Sequence, residues 1–86
     1  MVYYIAVFRS RTQTILFNQV LKSYGASSMV INTPRQAEVS CGLSVKFLGG
    51  DLAIVRQILS RREFSSFVGI FKVQEGRNGF SQVVRI

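Results

Sequence analysis

The sequence predicts an α+β sandwich: a four-stranded antiparallel sheet with two helices on one face, in the β-α-β-β-α-β order of a split βαβ or ferredoxin-like unit. Three observations predict it. Short β-branched and aromatic runs occur at Val2 to Phe8, Met29 to Asn32, Leu43 to Phe47 and Phe67 to Val73. Two of the stretches between them carry apolar residues at three- and four-residue steps, the pattern of an amphipathic helix. The length of 86 residues suits one such unit, with a core over about residues 2–73 and a C-terminal extension over 74–86. A chain of this size buries only about 60 to 65% of the surface its unfolded form exposes, so it holds one core of modest stability.

Val2 to Phe8 (VYYIAVF) has no polar alternation and reads as a central strand buried on both faces. From Ser10 the period changes. Leu16, Phe17, Val20, Leu21 and Tyr24 draw one apolar stripe, Ser10 with Gln13 fits a capping box, and Gly25 stands where a left-handed C-terminal residue belongs. These signals predict a helix over about Arg11 to Tyr24. Met29 to Asn32 is a second strand, stopped by Thr33 and Pro34, because proline cannot donate to a ladder.

Pro34 to Gly42 shows no period and reads as a connection. Leu43, Val45 and Phe47 then alternate with Ser44 and Lys46, which predicts a half-exposed third strand. Gly49, Gly50 and Asp51 mark its exit. Leu52, Val55, Ile58 and Leu59 give the second helix, with Asp51 at its positive end and Arg61 and Arg62 at its negative end. Phe67 to Val73 is the fourth strand. Phe80 to Ile86 has strand propensity and either adds to a sheet edge or frays.

Composition narrows the function. One Cys cannot form an internal disulfide, which fits a reducing compartment. With no His, neither a structural zinc set nor a His-based triad can be assembled within the chain, and no cofactor is implied. Glu38, Asp51, Glu63 and Glu75 are scattered, without the pairing that hydrolytic acid–base chemistry needs. Gly49-Gly50 lacks the Lys and spacing of a phosphate loop. Met1 to Phe8 has no basic leader or cleavage site, and no apolar run approaches the ~18 residues of a membrane span, so the expected compartment is the cytosol. Eleven Lys and Arg against four acids give a net charge of +7, and eight of the eleven are Arg. An anionic partner is therefore expected: nucleic acid, an acidic protein, or a small anion.

Topology gives the charge a location. In this order strands one and two run parallel and strand three opposes both. The ends of strands one and two and the start of strand three therefore share one rim with the first helix N-terminus and the second helix C-terminus. Arg9 to Thr12, Pro34 to Gly42 and Arg61 to Glu63 are predicted to meet there.

On that rim stands Cys41, after Val39 and Ser40 and before Gly42. Helix N-termini and cations favour a thiolate, and Arg9, Arg11, Arg35, Arg61 and Arg62 outnumber Glu38 and Glu63. A thiolate so placed is a nucleophile or sulfur acceptor, and Gly42 admits a close approach. The same residues have plain structural roles. A lone Cys is commonly a small buried hydrophobe; Arg61 and Arg62 complement a helix end, Arg11 lies on a solvated face, and Arg35 holds the turn after Pro34. Tyr3, Tyr4, Phe8 and Phe17 read as core.

Thr33-Pro34-Arg35 followed by Ser40-Cys41-Gly42 resembles the selenium/sulfur carrier-like family, a domain of unknown function. Similar features are an aromatic strand ending in Phe-x-Ser (Phe8, Ser10), a helix and Gly (Leu16 to Gly25), and an alternating strand after Cys-Gly (Cys41 to Phe47). The resemblance spans about Val2 to Val73. It implies that Cys41 takes a sulfur or selenium atom as a persulfide or perselenide from a donor protein and passes it to an acceptor protein. The role implied is that of a carrier more than of an enzyme. Arg35 would orient the thiolate, with Ser40, Gly42, Arg9, Ser10 and Arg11 in support. Thr14 and Phe17 stand where the family has small or acidic residues, and the segment from Gln74 extends past its usual end.

Two other readings use the same sequence. A basic, non-catalytic module would bind nucleic acid or a protein, since RNA-recognition modules share this topology. Against it, the outward side of strand three offers Ser44 and Lys46, and strand one supplies aromatics only if Tyr3, Ile5 and Val7 face outward. The other reading is a regulatory subunit that forms a homodimer through edge strands Met29 to Asn32 and Phe67 to Val73.

Overall fold

The computed structural model describes residues 1–37, 41–76 and 81–86. Its elements are β1 (Val2–Phe8), α1 (Arg11–Ser23), β2 (Met29–Asn32), β3 (Leu43–Phe47), α2 (Leu52–Arg61), β4 (Phe67–Glu75) and β5 (Ser81–Arg85), with 3-10 turns at Arg35–Ala37 and Gly49–Asp51. The strands form one open sheet in the order β2-β3-β1-β4-β5, every neighbouring pair antiparallel. This is the expected ferredoxin-like arrangement with a fifth strand added.

Strand β1 is central because it is apolar on both sides. Tyr4, Ala6 and Phe8 look toward the helices, and Tyr3, Ile5 and Val7 look away. Register places Tyr4 between Phe47 and Lys72, and Val7 between Ser44 and Gly69. Under the helices, Phe8 and Phe17 pack with Leu21, Val45, Phe47, Val55, Ile58 and Ile70. Phe8 also touches the rings of Phe64 and Phe67, at centroid distances of 5.6 and 5.5 Å. Helix α1 buries Thr14, Phe17 and Leu21, three- and four-residue steps along one face. It ends where Gly25 adopts φ +87°, so that its N–H bonds back to the Lys22 carbonyl at 2.9 Å.

The face away from the helices is also covered, which the alternation of β3 did not suggest. The turn Arg35–Ala37 lays Ala37 against Tyr3, Ile5, Val7 and Val73. Gln36 Nε2 donates to the Ser81 carbonyl at 3.2 Å, so the connection leaving edge strand β2 reaches β5 on the opposite edge. Beneath it Ser44 is fully buried and shares a 2.6 Å hydroxyl contact with Thr33. The half-exposed strand predicted over Leu43 to Phe47 is therefore corrected, and Lys46 alone keeps the outward character, with its ammonium 4.5 Å from the Tyr3 ring centroid.

One further expectation, a first strand buried on both faces, holds, and one changes. Tyr3, Ile5 and Val7 do face away from the helices, yet all three are buried, so they provide no free stacking surface. Strand β4 is not an edge: β5 pairs along it from Phe71–Arg85 to Glu75–Ser81, and the edges are β2 and β5. Among the described residues no helix is long and apolar enough to cross a membrane.

Candidate functional site

Cys41 lies two residues before β3, half-buried, against the first turn of α1. Backbone pairing sets its place. Its N–H donates to the carbonyl of Phe8, the last residue of β1, at 3.4 Å, and the Gly42 carbonyl accepts from Thr33 N–H at 2.9 Å. The connection from β2 thus closes on itself between Thr33 and Gly42. Gly42 turns the chain into β3 with φ +95°, a conformation that favours glycine.

Two oxygen atoms lie beside the sulfur. Sγ lies 3.7 Å from Thr14 Oγ1 and 3.7 Å from the Leu43 carbonyl oxygen. Thr14 is fully buried, and its hydroxyl donates to the Ser10 carbonyl at 2.9 Å. Its single hydrogen is therefore directed at Ser10, and its lone pairs compete with the Leu43 carbonyl for the one thiol hydrogen. If Cys41 ionises, Thr14 can turn that hydrogen to the sulfur, because the Ser10 carbonyl still accepts from Thr14 N–H at 3.0 Å.

Ser10 caps α1 by accepting from Gln13 N–H at 3.2 Å. The N–H groups of Arg11 and Thr12 precede the first intrahelical bond, so the positive end of α1 lies on the Cys41 side. Gln13 then pins this corner to the α2–β4 connection. Its Oε1 accepts from Ser66 N–H at 2.9 Å and Ser66 Oγ at 2.6 Å, and its Nε2 donates to Ser65 Oγ at 3.0 Å. Arg9 N–H adds a bond to the Ser66 carbonyl at 2.8 Å.

The residues predicted for the rim fall as follows. Arg9, Arg11, Arg61, Arg62 and Glu63 are exposed around the helix ends, and Ser10 is half-buried under the first turn of α1. Arg35 is exposed at the start of the turn that covers the other face, and neither hydrogen-bond partner of Cys41 Sγ is an arginine. Ser40, Glu38 and Val39 lie outside the described residues. Sequence reasoning passed over Thr14 as a contact of the sulfur, because its place at the head of the buried stripe 14, 17, 21 marks it as packing. Gln13 was read only as part of a cap.

Residues 3–66 match the model of a family described as “Putative Se/S carrier protein-like”. The chain belongs to this family. The Se/S carrier-like match runs from β1 through α2 to Ser66 and so contains Cys41, Thr14 and the whole corner held by Gln13, whereas β4 and β5 lie beyond it. No curated protein and no solved structure gives a significant match.

Proposed function

We propose that this Se/S carrier-like protein holds a single sulfur or selenium atom on Cys41 and relays it between two partner proteins. The observation that carries the reading is the placement of the chain's one thiol, half-buried at the N-terminal end of α1 with the Thr14 hydroxyl beside it, within the family-matched stretch.

Loading is a displacement at sulfur. The Cys41 thiolate attacks the terminal chalcogen of a donor persulfide or perselenide, a new S–S or S–Se bond forms, and the donor's own bond to that atom breaks. The donor leaves as a thiolate, and the proton lost by Cys41 goes to that thiolate or to water. Unloading repeats the displacement, with an acceptor thiolate attacking the terminal atom and Cys41 as the leaving group. No net oxidation of the protein occurs over the two steps. Thr14 serves as a donor to the anionic sulfur both before loading and after release, and the positive end of α1 favours the same anion. Arg35, assigned the orienting role through the family resemblance, is exposed and acts on the incoming donor and not by a bond to Sγ.

The test is intact mass after incubation with a low-molecular-weight persulfide or its selenium analogue. The expected result is a gain of one chalcogen atom, removed by a reducing thiol and absent in Cys41→Ser. No gain in the native protein, or an equal gain in Cys41→Ser, contradicts the reading.

A further inference from the structure

The end of the sheet remote from Cys41 carries a different kind of surface. About 670 Å³ of open-sided cavity lies between the α1–β2 connection and the end of β3, lined by Met1, Met29, Phe47 and Leu48 with Lys22 and Lys46 beside them. Met1, Met29 and Leu48 are 73, 54 and 50% exposed, so three large apolar side chains are left in water at one place. Their flexibility lets them close on a range of apolar shapes. The volume falls within the range of small-molecule sites.

The polar groups have one sign. Lys22 and Lys46 are two of the chain's three lysines, and no Asp or Glu is among the described residues that line the cavity. The carbonyls at the end of α1, which would oppose an anion, are engaged: Leu21 O by Tyr24 N–H at 3.1 Å and Lys22 O by Gly25 N–H at 2.9 Å. The Lys46 stem borders the cavity while its ammonium lies over the Tyr3 ring on the face away from the helices, which leaves Lys22 as the cation on the helix side.

We infer that this cavity binds a small amphipathic anion, an apolar chain or ring bearing one carboxylate or sulfonate. The apolar body replaces water on Met1, Met29 and Leu48, above the buried Phe47, and the anionic head meets Lys22 at the end of α1. The length of β3, about 17 Å at ~3.3 Å per residue, separates the site from Cys41, so the inference stands independently of the carrier reading.

The probe is decanoate below its micelle-forming range, titrated into ¹⁵N-labelled protein, with decanol and a decyl ammonium salt as neutral and cationic counterparts. Saturable shifts are expected at Lys22, Ala26, Met29, Lys46 and Leu48. Decanoate should bind roughly threefold tighter than decanol, the scale of an exposed ion pair. Met29→Asp should weaken it by roughly tenfold or more, and Lys22→Glu by a few-fold, with circular dichroism confirming that these exposed substitutions leave the fold intact. Absence of saturable shifts, equal binding of the ammonium salt, or decanoate binding unchanged in Met29→Asp overturns the inference. So does concentration-dependent sedimentation abolished by Met29→Asp without decanoate binding, which would make the surface a contact between copies of this chain.

Discussion

The two ends of the sheet differ in what finishes them. At the Cys41 end, β1 enters α1 through Arg9 and Ser10 alone, and α2 returns to β4 through the five residues 62–66. Such short connections crowd backbone polar groups, and Ser10, Gln13, Thr14 and Ser66 satisfy them with one another. At the far end the chain turns at Gly25 and at Gly49–Asp51, and apolar side chains from three segments are left open to water. Hydrogen bonding therefore fixes the geometry around the thiol, whereas the remote cavity retains side chains that can adapt. A group that must meet successive partners in one orientation suits the first kind of end, and a loosely shaped ligand suits the second.

The sharpest break in that comparison comes from the rings behind the thiol. Phe8→Ala removes a fully buried ring in contact with Phe17, Phe64 and Phe67 and is expected to cost about 3–5 kcal/mol in a urea melt, much of the stability of a chain this small. Leu48→Ala at the far end should change stability by no more than about 0.5 kcal/mol. Comparable losses from the two would erase the distinction.

Gly42→Ala comes next, at about 1–2 kcal/mol. A Cβ there meets nothing within 4 Å, so the cost is the positive φ alone, and Gly50→Ala, equally uncrowded and without a positive φ, is the control that should stay near zero. Thr14→Val should then slow alkylation of Cys41 by iodoacetamide at fixed pH by about fivefold, the scale of one hydrogen bond, with Thr14→Ser restoring most of the rate. An unchanged rate in Thr14→Val removes Thr14 from the chemistry.

The smallest effect lies with Tyr3. Burial, and then the Glu75 carboxylate, raise its phenol above the ordinary 10.0. The folded protein holds this proton longer than the unfolded chain does. Its contribution is present in full below about pH 10 and is lost as pH rises through the higher folded value. Tyr3→Phe should flatten that alkaline decline relative to the parent, measured by urea melts across the range.

Much of this architecture was legible from periodicity. VYYIAVF declares a strand buried on both sides, and the stripe Leu16, Phe17, Val20, Leu21 and Tyr24 with Ser10 and Gly25 at its ends declares the extent of α1, although Leu16 and Tyr24 lie at the margins of the packed face and are exposed. Strand order then brings Cys41 to the head of α1, which no spacing along the chain suggests. The cover on the second face was not legible. A ten-residue connection without a period does not say which face it crosses, so Ser44 read as solvent-facing although it is buried against Thr33. Thr14 was hidden for the opposite reason: it lies within a helical stripe that reads as packing, and only the fold brings the sulfur to its hydroxyl.

The central claim is onward transfer, and one labelling experiment tests it directly. Load the protein with radioactive sulfur or selenium from a persulfide or perselenide donor, remove the donor, and add an acceptor thiol in excess. The account predicts one label per chain, bound through Cys41 and passed to the acceptor, and no label bound by Cys41→Ser. Label that never binds, binds equally to Cys41→Ser, or stays on the protein in the presence of acceptor would contradict it.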